Sequence, residues 1–191
     1  IEPAEGQFSL AYLDHYKRMV EGCRERGLWP VVTYSHFTSP RWFAAKGGWE
    51  NRDAPALFAR FCERATRHLG AGIGHALTFN EPNLQYGGLW NPSPMSTTAT
   101  DAIKAMLAAA AKASGSDRFS LQNGGDAPAM LPFILEGHRQ GRAAIKSVRA
   151  DLPVGLSLAI PDDQAVQGGE AMLARKRRMV YEPFFDAARD D

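Results

Sequence analysis

Residues 75–82 read HALTFNEP, a β-forming run that closes on an amide, a carboxyl and a proline. The run predicts a strand from His75 to Glu81, because β-branched and aromatic residues favour extended backbone. Pro82 cannot donate a ladder hydrogen bond, so it ends the pairing and turns the chain outward. Asn80 and Glu81 are therefore expected at the carboxyl end of this strand.

Two more runs of this kind predict strands near residues 30–37 and 154–160. The first shows no polar alternation, as expected for a strand that is buried on both faces. Amphipathic patterns predict helices around these strands, at about residues 9–27, 53–70, 100–113, 131–150 and 171–188, the last interrupted by Pro183.

The first predicted helix begins at the capping residue Ser9 and carries an apolar stripe of Tyr12, Tyr16, Met19 and Cys23. Strands that alternate with helices indicate an α/β protein with a parallel sheet. Two architectures fit this order: a doubly wound open sheet and part of a (β/α)8 barrel.

Polar residues gather where the predicted strands end, and this favours the barrel. They are His36 after the first strand, Asn80 and Glu81 at the second, and Asp162 and Asp163 after the third. A barrel keeps its chemistry at this face. No glycine-rich phosphate signature follows any of the strands, which weakens the nucleotide-binding open sheet. The sequence therefore predicts an α/β fold, a partial (β/α)8 TIM barrel over residues 1–191.

The bulk composition is that of an ordinary globular protein, with 45% hydrophobic residues, 23% charged residues and a net charge of +1. This balance gives no reason to expect a nucleic acid or a membrane as partner. Cys23 and Cys62 lie in helical patterns without disulfide or zinc spacing, which favours free thiols and a cytoplasmic location. The chain opens at Ile1 and closes on polar residues, so it reads as an excerpt of a longer protein.

Glu81 is the strongest candidate for chemistry. A carboxyl at a barrel mouth, partly shielded from water, can hold a proton near neutral pH and donate it. The amide of Asn80 is suited to gripping a sugar hydroxyl. By residue type alone, a salt-bridged structural glutamate and a satisfied buried histidine are the commoner interpretations of Glu81 and His36.

Thr78-Phe79-Asn80-Glu81-Pro82 resembles the acid/base motif of the family 1 glycoside hydrolases. Three other blocks, in the right order, resemble segments of the same family: residues 1–3 (IEP), 30–40 (PVVTYSHFTSP) and 47–51 (GGWEN). The resemblance covers about residues 1–92 and weakens beyond Asn91. It implies a retaining β-glycosidase of the β-glucosidase type, of which this chain holds about strands three to five.

The resemblance also implies roles for individual residues. Glu81 would protonate the leaving glycosidic oxygen and then activate water as a base. It implies a β-glycoside or oligosaccharide substrate and no metal or organic cofactor. The implied substrate-binding residues are His36 and Asn80 on glycone hydroxyls, Phe37 along the sugar, and Asn83 and Tyr86 where the aglycone passes.

This sequence departs from the family in three places. In the family, the fifth strand commonly carries an asparagine near the position of Ala159, and this sequence has none there. Residues 96–131 look longer than the usual connection and predict an insertion or a rearranged helical connection. The nucleophile motif Ile/Val-Thr-Glu-Asn-Gly does not occur; Gln122-Asn123-Gly124 imitates its tail, but its context is a turn.

Retention needs a second carboxylate about 5 Å from the first, and Asp162 and Asp163 read as loop residues. We therefore expect this chain alone to be inactive and the complete protein to be active. Two alternatives stay open: an inactive carbohydrate-binding remnant, and a structural half-barrel. The half-barrel would need the missing half of the barrel or self-association to cover its sheet edges.

Overall fold

The computed structural model describes residues 1–90 and 94–189. In these ranges three strands form one parallel sheet, and they are neighbours in chain order: β1 (Val31–Ser35), β2 (His75–Asn80) and β3 (Val154–Ser157). The three predicted strands and their parallel, adjacent arrangement are confirmed.

Helices precede, separate and follow the strands. They are α1 (Leu10–Glu25), α2 (Arg41–Ala45), α3 (Ala54–Leu69), α4 (Leu84–Trp90), α5 (Pro94–Ser114), α6 (Ala127–Val148), α7 (Glu170–Val180) and α8 (Glu182–Arg189). Each strand therefore reaches the next through helices, which is the connection that parallel strands require.

The sheet is central and the helices α3 and α6 pack together against it. An aromatic cluster fills the space between them, with the rings of Trp49 and Phe58 each 4.9 Å from Phe79, centroid to centroid. Trp49 and Phe79 are fully buried. Trp49 is thus a structural residue of the core.

Short-range signals set several helix ends as predicted. The Ser9 side chain accepts a hydrogen bond from the backbone N–H of Tyr12 and caps α1. Gly70, at φ +65°, ends α3 because it can adopt a backbone conformation that other residues disfavour. Pro183 lies near the break between α7 and α8.

Two helical predictions need correction. No helix is predicted between residues 82 and 99, yet α4 and the start of α5 lie in this stretch; its residues 91–93 lie outside the described residues. α6 begins at Ala127 and not at 131, because the Asp126 carboxylate caps it by accepting from the N–H of Ala129 at 3.1 Å.

The apolar stripe predicted on α1 does not face the core of this chain. Tyr12, Tyr16 and Met19 are exposed, and the buried residues of the helix are Leu13 and Val20. The predicted stripe therefore lies on a different face of α1 from Leu13 and Val20, which pack inside this chain.

The thiols and the helices give two further findings. Cys62 is buried, which raises the pKa of its thiol, and Cys23 is half-buried; both are free. Within residues 1–90 and 94–189, no helix is long and apolar enough to cross a membrane. The cytoplasmic location stays a prediction, and so does the insertion at residues 96–131.

Candidate active site

The candidate site lies at one edge of the sheet, where the carboxyl ends of β1 and β2 meet. Ser35 is paired in register with Phe79, and Asn80 with Ser157. His36 follows β1 directly and Glu81 follows β2 directly. The strands are parallel, so both residues lie at the same edge, as the barrel interpretation required.

Glu81 is half-buried and lies in a strained backbone conformation. Its φ is +44°, in the left-handed region that non-glycine residues seldom adopt. Among the described non-glycine residues, Phe37 at φ +65° is the only other one with a positive φ. Backbone strain of this kind concentrates at functional sites and persists where the surroundings hold it in place.

The peptide group between Asn80 and Glu81 is fixed by its neighbours. The Glu81 N–H donates to the carbonyl of Ser157 at 2.9 Å, and the Asn80 side-chain Oδ1 accepts from the Ser157 hydroxyl at 3.0 Å. The second bond fixes the orientation of the amide, so that Nδ2 is the group with which Asn80 can donate to a ligand.

His36 and Phe37 form the other side of the site. The His36 ring is exposed and lies edge-on to Phe37, with ring centroids 5.1 Å apart. The His36 carbonyl accepts from the N–H of Thr38 at 2.8 Å, which closes a tight turn after β1. An exposed imidazole beside an aromatic ring can offer a hydrogen bond and an apolar face to a sugar.

Gln122 joins the two strand ends, a contact that no local sequence pattern indicates. Its side chain is fully buried. The Gln122 Nε2 donates to the carbonyl of Asn80 at 3.1 Å, and its Oε1 accepts from the Ser35 hydroxyl at 3.1 Å. The sequence predicts that this residue is part of a turn. The turn is present, but the side chain points into the protein and not into solvent.

The prediction that Asn83 and Tyr86 contact the aglycone is not supported by the geometry. Both residues are buried. Asn83 donates to the carbonyl of Ala159 at 2.8 Å and accepts from its N–H at 2.9 Å. The Tyr86 hydroxyl donates to the carbonyl of Ala127 at 2.6 Å. Each side chain therefore holds the backbone of another element.

The two aspartates after β3, Asp162 and Asp163, bond to residues other than Glu81. Asp163 accepts from Lys176 at 2.5 Å and from the Tyr181 hydroxyl at 2.7 Å, and these bonds hold the pKa of its carboxyl below the usual value. Asp162 accepts from Gln164 at 2.9 Å. Within the described ranges, no cluster of three or more His, Cys, Asp or Glu residues could hold a metal ion.

Comparison with known proteins decides the family. The family model described as Glycosyl hydrolase family 1 matches residues 2–124, which is more than half of the chain and includes His36, Asn80, Glu81 and Gln122. The chain belongs to glycosyl hydrolase family 1.

Relatives within family 1 agree in sequence and in fold. Beta-glucosidase A of Acetivibrio thermocellus is 34% identical over 79 residues, which are 41% of this chain and 18% of that protein. The apo structure of beta-glucosidase 1317 is 40% identical with a TM-score of 0.90, covering 98% of this chain and 46% of that one. The crystal structure of beta-glycosidase BGL167 is 45% identical with a TM-score of 0.84, covering 100% and 46%.

This chain therefore spans about half the length of those two family 1 structures. The described fold is a partial barrel of three parallel strands with their helices. Ala159, near which the resemblance predicts an asparagine, is held through its backbone N–H and carbonyl by Asn83.

Proposed function

We propose that the complete protein hydrolyses β-glycosidic bonds, in the manner of a β-glucosidase, with Glu81 as the acid/base residue. The observation that carries this is the strained, half-buried Glu81 at the carboxyl end of β2, beside Asn80, in a chain of family 1. Two solved structures with a similar fold are a β-glucosidase and a β-glycosidase.

The proposed reaction is a two-carboxylate retaining mechanism. Glu81 protonates the glycosidic oxygen while a second carboxylate attacks the anomeric carbon, and the leaving group departs. Glu81, now a carboxylate, takes a proton from water, and that water cleaves the glycosyl ester. Asn80 and His36 would hold hydroxyls of the glycone, and Phe37 would line it.

The test replaces Glu81 in the complete protein with Gln and with Ala. We expect kcat/KM for alkyl glycosides, whose leaving groups need a proton, to fall by about 10²–10⁴-fold. Dinitrophenyl glycosides should form the glycosyl ester at nearly the normal rate, because their leaving group departs unprotonated. Azide should restore turnover of the Glu81→Ala variant, because an anionic nucleophile needs no general base.

A matched control is Glu63→Gln, an exposed carboxylate on α3 that pairs with Arg67. It should leave both substrate classes unaffected. Equal loss on both substrate classes in the Glu81 variants, without azide rescue, would refute the acid/base role. Sugar binding without turnover by the unaltered complete protein would instead favour the carbohydrate-binding remnant.

We also propose that the 191-residue chain alone lacks this activity, since no other carboxylate in it has the context of a nucleophile. The chain spans 46% of each of the two structures compared above, so the rest of the protein can supply both the nucleophile and the missing half of the barrel. Turnover by the isolated chain, abolished by Asp162→Asn or Asp163→Asn, would place the nucleophile after β3 and contradict this.

A further inference from the structure

We infer that Gln122 is a positioning residue for the acid/base carboxylate, an inference that rests on the proposed function. Gln122 contacts neither Glu81 nor a ligand through its side chain amide. It acts on the peptide group that precedes Glu81, and the argument concerns how that peptide is held.

The peptide group between Asn80 and Glu81 is hydrogen-bonded on both sides. Its N–H belongs to Glu81 and donates to Ser157 of β3 at 2.9 Å, as in a regular ladder. Its carbonyl belongs to Asn80 and points the other way, toward β1. There β1 has already ended at Ser35, and the Gln122 Nε2 occupies the place of the missing ladder donor at 3.1 Å.

The orientation of the Gln122 amide follows from chemistry. A backbone carbonyl can only accept, so the atom that faces Asn80 must be the NH2 group. The Oε1 atom is then left to accept from the Ser35 hydroxyl at 3.1 Å. Gln122 therefore ties the carbonyl before Glu81 to the last residue of β1, which precedes His36.

The strain at Glu81 explains why this tie is needed. A φ of +44° is unfavourable for a residue with a Cβ, and it persists only where the surroundings impose it. Without the Gln122 bond, the Asn80–Glu81 peptide can rotate about its remaining bond to Ser157. Such a rotation relaxes the strain and moves the Glu81 carboxyl away from the glycosidic oxygen.

The segment that carries Gln122 is itself anchored. The Glu50 Oε1 accepts from the Ser120 hydroxyl at 2.7 Å and from the N–H of Asp126 at 2.9 Å, and the Ser120 N–H donates to the carbonyl of Ala44 at 3.0 Å. These bonds bracket Gln122 on both sides. The connection between α5 and α6 is thus a rigid support for the site.

The experiment compares Gln122→Met, Gln122→Glu and Glu81→Gln in the complete protein. The readout is the ratio of kcat/KM for an alkyl glycoside to kcat/KM for the dinitrophenyl glycoside of the same sugar. The ratio does not depend on how much of the variant is folded. Gln122→Met keeps the volume of the side chain and removes both hydrogen bonds, and we expect the ratio to fall roughly tenfold, since small misplacements in a site cost up to about 10²-fold.

Gln122→Glu keeps the acceptor for Ser35 and loses the donor to Asn80. The ratio of its two kcat/KM values, relative to that of the unaltered protein at the same pH, should recover as the pH falls. The reason is that the protonated carboxyl of the variant can again donate to the carbonyl of Asn80. A buried residue that serves stability alone would not show this pH dependence.

The matched control is Thr66→Val. Thr66 is also fully buried, and its hydroxyl is hydrogen-bonded to the Cys62 carbonyl and to the Tyr34 hydroxyl. It lies on α3, away from Glu81. Its ratio should equal that of the unaltered protein. If Glu81→Gln is selective for the alkyl glycoside and Gln122→Met lowers both rates equally, the positioning role is refuted and the proposed function stands. If Glu81→Gln shows no selectivity, both are refuted.

Discussion

The side-chain amide of Asn83, in the turn after β2, bonds the backbone carbonyl and N–H of Ala159, just after β3. These are the two hydrogen bonds that a neighbouring backbone segment would make in a sheet. We expect Asn83→Ala to lower the free energy of unfolding of the complete protein by about 1–3 kcal/mol, because it leaves both peptide groups of Ala159 without their partner. Urea denaturation measures this. Gln164→Ala, which removes an exposed and local hydrogen bond, should change it by less than about 0.5 kcal/mol.

Single residues of the site differ in how far the sequence could reveal them. Glu81 and Asn80 stand in a motif that is local in the chain, so the sequence alone could predict them as site residues. Gln122 stands 87 residues from Ser35, its bonding partner, and in an Asn-Gly-Gly turn that reads as solvent-exposed. Asn83 is predicted to contact the aglycone because a polar residue that follows a strand end looks available to a ligand, yet in this chain it is buried. Its burial depends on contacts with residue 159, which no local pattern shows.

The contact between α6 and the aromatic cluster depends on the absence of a side chain. A Cβ at Gly137 would lie 2.7 Å from the ring of Trp49, which is buried and cannot move aside. We expect Gly137→Ala to destabilise the protein by about 1–3 kcal/mol, although alanine is the better helix former. Gly87→Ala, in α4 with open space at its Cβ, should be neutral or stabilising by up to about 1 kcal/mol in thermal unfolding.

The carboxylate of Asp163 attaches the loop after β3 to α7 and to Tyr181, the residue that follows α7. The bonds from Lys176 and Tyr181 lower the pKa of Asp163 in the folded protein. Burial, together with the bond to Asp163, raises the pKa of Tyr181 to about 12. The unfolded chain therefore binds the Asp163 proton more tightly than the folded protein does. This contribution to stability is present above the ordinary carboxyl pKa and is lost as the pH falls through the lowered value.

We accordingly expect Asp163→Asn to be less stable than the unaltered protein near neutral pH and to lose less stability between about pH 5 and pH 2. Urea midpoints across this range measure both effects. Asp162→Asn, the exposed neighbour, should follow the unaltered protein at every pH. A parallel pH profile for Asp163→Asn would show that the ion pair does not link this loop to the helices.

Whole elements were predicted more reliably than their contacts. Buried parallel strands read as apolar runs, so all three strands and their order could be found. An apolar stripe on a helix indicates that this face is buried, but it does not indicate which part of the protein buries it. On α1 the stripe was real, and it faces away from the residues that this chain provides.

At the scale of the whole molecule, that stripe belongs to an uncovered side of the sheet. β1 is an outer strand of the described sheet, and Val31 is 58% exposed. Tyr12, Tyr16 and Met19 line a groove of about 780 Å³ together with β1. Leu28 and Trp29, just before the strand, are exposed as well. Apolar surface of this extent at a sheet edge is typical of an interface.

The complete protein should cover this groove, and Met19 tests whether it does. Met19 is 54% exposed in this chain. If the rest of the barrel packs on it, Met19→Ala in the complete protein should lower the free energy of unfolding by about 2–5 kcal/mol, as for other buried methionines. Two residues of the same helix are controls: Leu13→Ala, buried by this chain, should be equally costly, and Lys17→Ala, which removes a solvent-exposed i,i+4 pair, should be nearly neutral. A Met19→Ala effect as small as that of Lys17→Ala would mean that this face stays in contact with solvent, and that the rest of the protein does not close the barrel against α1.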